Sequence, residues 1–320
     1  MNWQRSFVRA RTGKVSPRLC ELYSECTDEE RRLSSAFFER YPVGQGTGTL
    51  TAFAGILQDP GPLAFAKRIV GTAGGDLCEA LEAELAGGGE VAVAVSGGID
   101  SWVLAALLKR LGYRVRGWYL ESGVEGYCER EQVLRCQKAL GIPCEHIRVS
   151  AADFVESAAE FVAVTETPIY NLHPVSKLLL ARGLARNGVT SVVTGDGADQ
   201  VMRHDWDCDL LPLTLTCFRA AGVRVIAPFL SERVVSWCTT RPYLDKQPLR
   251  ALGRLLGVPD APKHPTLFPV GQVGNLRPIA NRPARVRDTS PGPVAAVLEY
   301  TTELLLQTLE TSHPCAASAE

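Results

Sequence analysis

One stretch constrains this chain more than any other: Val91-Ala92-Val93-Ala94-Val95 running directly into Ser96-Gly97-Gly98-Ile99-Asp100-Ser101. Five uninterrupted apolar residues, with Val at alternate positions, leave no face for water, which suits a strand covered on both sides in a parallel sheet. The two glycines permit a sharp turn, and a helix is expected over about 101–111. Parallel strands need crossover connections, so the rest of the chain must alternate strand and helix. It does: the patterning predicts strands near 114–120, 144–149 and 189–194, and helices near 129–140, 151–163 and 174–187. Upstream, Asp76 and Glu79 have the spacing of a capping box, Leu77, Ala80, Leu81 and Leu85 form an apolar stripe, and Gly87-Gly88-Gly89 stop the helix. Beyond residue 207 the pattern is mostly helical, near 231–239 and 246–256, around a short apolar run at 223–229. The expected fold class is α/β, a doubly wound, mostly parallel five-stranded sheet with a helical C-terminal part.

Residues 1–75 carry mixed charge and no motif with assignable chemistry. The segment near 275–293 is rich in Pro and Arg and reads as a linker, followed by a helix over about 293–309 opened by Pro293, with Val294, Val297, Leu298, Leu304 and Leu305 on one face. The expected organisation is therefore 1–75, 76–274 and 275–320. With 34 basic against 35 acidic side chains in 320 residues, the net charge of −1 gives no field that would hold a nucleic-acid backbone. No apolar run reaches the roughly 18 residues of a membrane span, and the first residues lack the apolar centre of a secretory signal. A cytoplasmic protein without nucleic-acid or membrane partners is expected. Ten cysteines include no C-x-x-C pair. Only the even step Cys128, Cys136, Cys144, with His146 beyond, invites a metal or sulfur-carrying reading, against the plainer one of small core residues.

Chemistry concentrates where the first strand ends. Ligands of such sheets bind at the carboxyl edge of the strands. There Gly97 and Gly98 let the backbone approach a guest, backbone N–H groups and the helix N-terminus form an anion cradle, and Ser96 and Ser101 add hydroxyl donors. Phosphate is the natural guest, but Asp100 would repel it unless a divalent cation intervened. Taken alone, the segment could be only a tight turn. A second signal stands at the end of the 189–194 strand: Gly195-Asp196-Gly197-Ala198-Asp199-Gln200 brings two more carboxylates to the same edge. Alone it would read as a solvated acidic loop.

Together the two resemble known sequences. Ser96 to Ser101 is not a Walker A loop, having no Gly-Lys-Ser/Thr, but resembles the SGG-x-DS pyrophosphate loop of the ATP pyrophosphatase (PP-loop) superfamily. The pair of loops resembles the synthetase domain of the asparagine synthetase family, whose second loop reads S/T-G-E-G-x-D-E; here it is TGDGADQ, with Asp196 and Gln200 in place of the glutamates. The resemblance continues at Glu166-Thr167-Pro168, at Ala227-Pro228-Phe229-Leu230 with Ser231 in place of an Asp, at Lys246-Gln247-Pro248-Leu249-Arg250, and near Lys263, so that it spans about 76–270.

The resemblance implies an adenine nucleotide alpha hydrolase-like fold, ATP and Mg²⁺. Ser96, Gly97, Gly98 and Ser101 would cradle pyrophosphate, with Gly195 and Lys263 at the same site and Asp100 and Asp199 holding Mg²⁺. Tyr119 and Leu120 would face the adenine, although core packing explains them as well. Lys246 would stabilise charge during acyl transfer, and Asp196 would assist proton removal from the attacking amine. Glutamine-using relatives carry an N-terminal glutaminase domain with a cysteine nucleophile, whereas this chain has Asn2 and only about 75 leading residues. The nitrogen would then come from free ammonia, an amine substrate or a separate donor protein. An amide-forming ligase acting on a small-molecule carboxylate is expected, in specialised metabolism. An adenylating sulfur-transfer enzyme and a degenerate nucleotide-binding module are the alternatives.

Overall fold

The structure is a computed structural model. It describes residues 76–165, 169, 172–202, 210–239, 241 and 245–260, and isolated positions at 268, 297, 300, 301 and 304. Lys263, Glu166-Thr167-Pro168, the 275–293 segment and residues 1–75 lie outside the described residues.

Helix α1 (Leu77–Glu84) begins as its sequence demands: Glu79 N–H donates to Asp76 Oδ1 at 2.8 Å, and Asp76 N–H donates back to Glu79 Oε2 at 3.3 Å. Strand β1 (Glu90–Val95) follows, then α2 (Ile99–Arg110), β2 (Arg114–Ser122), α3 (Arg130–Leu140) and β3 (Cys144–Val149). Helices α4 (Ala151–Glu156) and α5 (Ala158–Thr165) replace the single helix expected over 151–163. Next come α6 (Val175–Arg186), β4 (Ser191–Val193), α7 (Ala198–Met202), α8 (Leu210–Ala220) and β5 (Arg224–Ile226). A 3-10 turn over Pro228–Leu230, α9 (Glu232–Thr239) and α10 (Gln247–Leu255) complete the described elements. The strand expected over 189–194 is therefore only three residues long. Among the described residues no helix is long and apolar enough to cross a membrane.

The five strands make one sheet in the order β3-β2-β1-β4-β5, and every pairing is parallel. This is the doubly wound α/β sheet the alternation demanded. β1 lies in the middle, with Val95 opposite Tyr119 on one side and Val93 opposite Val193 on the other. The chain steps outward from β1 through β2 to β3 and then returns to lay β4 against β1 on its free side. That reversal puts the topological switch point between β1 and β4.

Both faces of the sheet are covered, which is why its central strand has no polar side. One core contains Leu81, Val93, Val95, Trp102, Leu104, Leu107, Phe229 and Leu249, uniting α1, α2, α9 and α10. Helix α2 is buried at every position from Ser101 to Leu108, so its sequence shows apolarity all round rather than a stripe. The second core gathers Trp118, Leu180, Ala181, Leu184, Val192, Phe218 and Val223 beneath α6 and α8.

The described residues divide into two compact units, one holding the sheet up to Ser150 and again from Lys177, the other holding those of Ala151–Ser176 with positions 268, 297, 300, 301 and 304. In the second unit, Phe154 packs on Phe268 with ring centroids 4.5 Å apart. Positions 297, 300, 301 and 304 are helical there, as the 293–309 pattern predicts, and Val297 and Leu304 are buried. Thr301, which the apolar stripe does not include, is also fully buried and bonds Ile169 O at 2.8 Å and Val297 O at 2.9 Å. Val294, Leu298 and Leu305 lie outside the described residues.

Candidate functional site

Adjacency of β1 and β4 decides the site, because the loops that leave their carboxyl ends become neighbours. The contact is close: a Cβ on Gly195 would lie 2.9 Å from Ser101 N and 3.0 Å from Asp100 Cβ. Only glycine lets the second loop press its backbone against the start of α2. Gly197, at φ +97° in the left-handed region, turns that loop over Leu230 of the 3-10 turn, which explains the role of the Pro228-Phe229-Leu230 segment.

The first loop is tied into a cradle by its own hydroxyls. Gly98 N–H donates to Ser96 Oγ at 3.2 Å, Ser96 N–H donates to Ser101 Oγ at 3.3 Å, and Trp102 Nε1–H donates to Ser96 O at 2.7 Å. Because each hydroxyl accepts within the loop, its proton stays available to a guest. Gly97 N–H is engaged differently: it donates at 2.9 Å to Glu129 Oε2, one residue before α3. A carboxylate thus sits at an N–H that the sequence assigned to phosphate.

Lys246 closes the site from α10. Its Nζ lies 2.6 Å from Asp100 Oδ2 and 2.9 Å from Asp199 Oδ1, joining the two loops through one ammonium. Lys246 has φ 60° and Asp245 φ 42°, so the turn before α10 holds two consecutive non-glycine residues in the left-handed region. Such backbone is unfavourable and persists where the surroundings impose it. The surroundings here are the tight seating of α10 on α2, where a Cβ on Gly253 would meet Ile99 and Val103 at 3.1 and 3.2 Å. The lysine side chain is 8% exposed, so the ammonium meets the two carboxylates largely out of water.

Asp196 sits beside this trio but pairs elsewhere. Lys177, near the start of α6, donates to its Oδ1 at 2.9 Å, while Oδ2 is buried with no hydrogen-bond partner among the described residues. Neither Lys177 nor Glu129 stood out in the sequence, since each lies far along the chain from its partner and in no motif.

Tyr119 and Leu120 are not brought to one surface. As successive strand residues they fall on opposite faces: Tyr119 belongs to the first core and Leu120 packs against the second. One adenine cannot rest on both side chains. The Tyr119 hydroxyl accepts from Glu129 N–H at 2.9 Å and lies 3.7 Å from Cys128 Sγ, and burial pushes its phenol well above the usual range. Tyr119 therefore anchors the residue that reaches the first loop.

The cysteine step does not form a metal centre. Among the described residues no group of three or more His, Cys, Asp or Glu side chains could hold a metal. Cys136 is buried in the first core and its thiol is pushed up to about 11 by burial; Cys144, packed against that core, is pushed up to about 12. Cys128 is exposed and stands apart beside Tyr119. His146 is taken by Glu121, at 2.7 Å from Nδ1 to Oε2.

With these two loops in view, the similarities to known proteins can be placed. A tRNA-5-methyluridine(54) 2-sulfurtransferase of Pyrococcus horikoshii is 29% identical over 111 residues, 34% of this chain and 35% of that protein. The match thus takes in about a third of that curated relative's length. A solved U34-tRNA thiolase of Methanococcus maripaludis, with its 4Fe-4S cluster, aligns at a TM-score of 0.40 and 16% identity, covering 74% of this chain and 73% of that one. Residues 75–204, from the start of α1 through the second loop, match the asparagine synthase family.

Proposed function

We propose that this chain is an ATP-dependent ligase: it adenylates a substrate carboxylate, releases pyrophosphate, and passes the acyl group to ammonia or an amine. The observation that carries the reading is the convergence of Asp100 and Asp199, from two loops at the switch point, on one buried ammonium. Two carboxylates and a lysine at the end of an anion-binding loop are what a metal-bound polyphosphate requires.

The donor set fits Mg²⁺. Asp100 and Asp199 supply one carboxylate each, no third ligand side chain joins them among the described residues, and Mg²⁺ typically completes its shell with phosphate and water oxygens. When bound, the ion would neutralise the triphosphate. Ser96 and Ser101 would hold the pyrophosphate oxygens through the hydroxyl protons that their accepted bonds leave free, with Gly97 and Gly98 letting the guest approach the backbone. Lys246 would keep its ammonium at the carboxylates and, from there, meet negative charge that develops as pyrophosphate leaves and as the amine attacks. Asp196, held at one oxygen by Lys177, would accept the proton that the attacking amine sheds. The amide and AMP would be the products.

A second reading has one observation in its favour, the 29% identity over 111 residues to a sulfurtransferase. There the acyl or base oxygen activated by adenylation would be replaced by sulfur, and exposed Cys128, next to the Glu129 that reaches Gly97, would be a candidate thiol.

The test is ATP–pyrophosphate exchange across a panel of carboxylic acids, followed by product analysis with ammonia, amines or labelled sulfide. Exchange with at least one acid, and its loss by a hundredfold or more in Asp100→Asn, is expected. Exchange that survives Asp100→Asn would refute the metal assignment, and label appearing in the product would decide for sulfur transfer.

A further inference from the structure

The carboxylate of Glu129 occupies the phosphate loop of its own chain. Gly97 N–H donates to Glu129 Oε2 at 2.9 Å, and a Cβ at Gly97 would come within 2.7 Å of Oε1, 2.8 Å of Cδ and 2.9 Å of Cβ. The side chain therefore lies flat against the glycine, filling the space that the absent Cβ leaves open. Its backbone is pinned from the other side, where Glu129 N–H donates to the buried Tyr119 hydroxyl at 2.9 Å. Among the described residues no basic side chain pairs with this carboxylate, and the hydrogen bond it accepts comes from the loop. A carboxylate and a phosphate ask for the same thing from a backbone N–H at the head of a helix, so the two compete for one donor.

We propose that Glu129 is an internal competitor of the nucleotide: its carboxylate holds the Gly97 donor in the free protein and must be displaced when a phosphate binds. This rests on the nucleotide reading of the loop and adds to it a residue that sets affinity. Displacement has a second consequence. Cys128, next to Glu129, is exposed with its Sγ 3.7 Å from the Tyr119 hydroxyl, so departure of the carboxylate from Gly97 changes the surroundings of this thiol while the Glu129 backbone stays held by Tyr119. The electrostatics act in the same direction. A carboxylate left beside a polyphosphate repels it, which disfavours metal-free ATP more than its Mg²⁺ complex.

The experiment compares ATP binding by calorimetry in the full chain and in Glu129→Ala and Glu129→Gln. If the closed contact is populated about nine parts in ten, its removal tightens binding about tenfold, because apparent affinity scales with the competent fraction. Glu129→Ala should reach that gain. Glu129→Gln, which keeps an acceptor but loses the charge, should fall between it and the unaltered chain, and both variants should discriminate less against ATP without Mg²⁺. In parallel, alkylation of Cys128, followed by peptide mass, should change rate when ATP is added to the unaltered chain and change little in Glu129→Ala. Equal or weaker ATP binding by Glu129→Ala, with the unaltered chain binding, would overturn the inference and leave the nucleotide site standing. No ATP binding by any of the three proteins would overturn the nucleotide reading and this inference with it.

Discussion

A single ammonium between two carboxylates is the feature on which this site turns. Lys246 Nζ, Asp100 and Asp199 form a unit with a net charge of one negative, and the lysine is almost fully buried whereas Asp199 is 39% exposed on its side chain. Removing the lysine leaves two carboxylates facing each other. Lys246→Met should therefore do two things: lower amide formation by about 2 to 4 kcal/mol of barrier, the loss of one charge-stabilising donor, and make thermal unfolding more responsive to Mg²⁺ than in the unaltered chain, since the ion would then relieve the repulsion. Melting curves with and without Mg²⁺, beside product formation, check both, and a variant whose melting ignores Mg²⁺ would place the ion elsewhere. The types of these residues were legible because Asp100, Asp199 and Lys246 each sit in a short motif. Their mutual contact was not, since 146 positions separate Asp100 from Lys246. Glu129 and Lys177 had no motif around them, and only a folded chain sets them on Gly97 and Asp196.

At the scale of elements, two loops meet because two strands that are distant in sequence lie side by side. The glycine at their meeting point has no room for a methyl group: a Cβ on Gly195 would strike the backbone N of Ser101 at 2.9 Å, and backbone cannot swing away as a side chain can. Overpacking of this kind costs about 1 to 3 kcal/mol. Gly195→Ala should thus weaken ATP binding by roughly five- to hundredfold while circular dichroism stays unchanged; undiminished affinity would show that loop contact is irrelevant to the site. The alternation that made the sheet predictable was visible in the apolar runs, and strand ends at 90–95 and 144–149 lie within a residue of expectation. Short β4 was overestimated because Val189, Thr190 and Thr194 are β-branched and so read as strand, yet they lie beyond the last ladder pairs. The break between α4 and α5 at Ser157 was missed, since helical periodicity continues through it.

Across the whole molecule, three of the described cysteines, Cys136, Cys217 and Cys238, act as core residues. Burial pushes the thiol of Cys136 up to about 11 and those of Cys217 and Cys238 up to about 12, and all three are nearly inaccessible. A folded-state value raised above the ordinary 9.0 means that the folded chain keeps protons the unfolded chain has lost. Their contribution is therefore intact below about pH 9 and is lost as pH rises from there toward 11 and 12, by about 1.4 kcal/mol per pH unit for each thiol ionised only when unfolded. Thermal midpoints should fall steeply between pH 9 and 11, and replacing Cys217 with Ala should make that fall shallower while lowering stability at neutral pH. An unchanged slope would mean that these thiols are not what titrates.

From its sequence alone this chain was bound to form a parallel α/β sheet, because a central strand with no polar face can be stable only when helices cover both sides, and that requirement is written into consecutive residues. The sequence likewise determined which residue types stand at the carboxyl edge. The tertiary structure alone decided which of them touch. Strand order, and with it the pairing of β1 with β4, is a long-range choice made by the packing of the two cores, and the contacts of Lys246, Lys177 and Glu129 follow from that packing rather than from any local pattern.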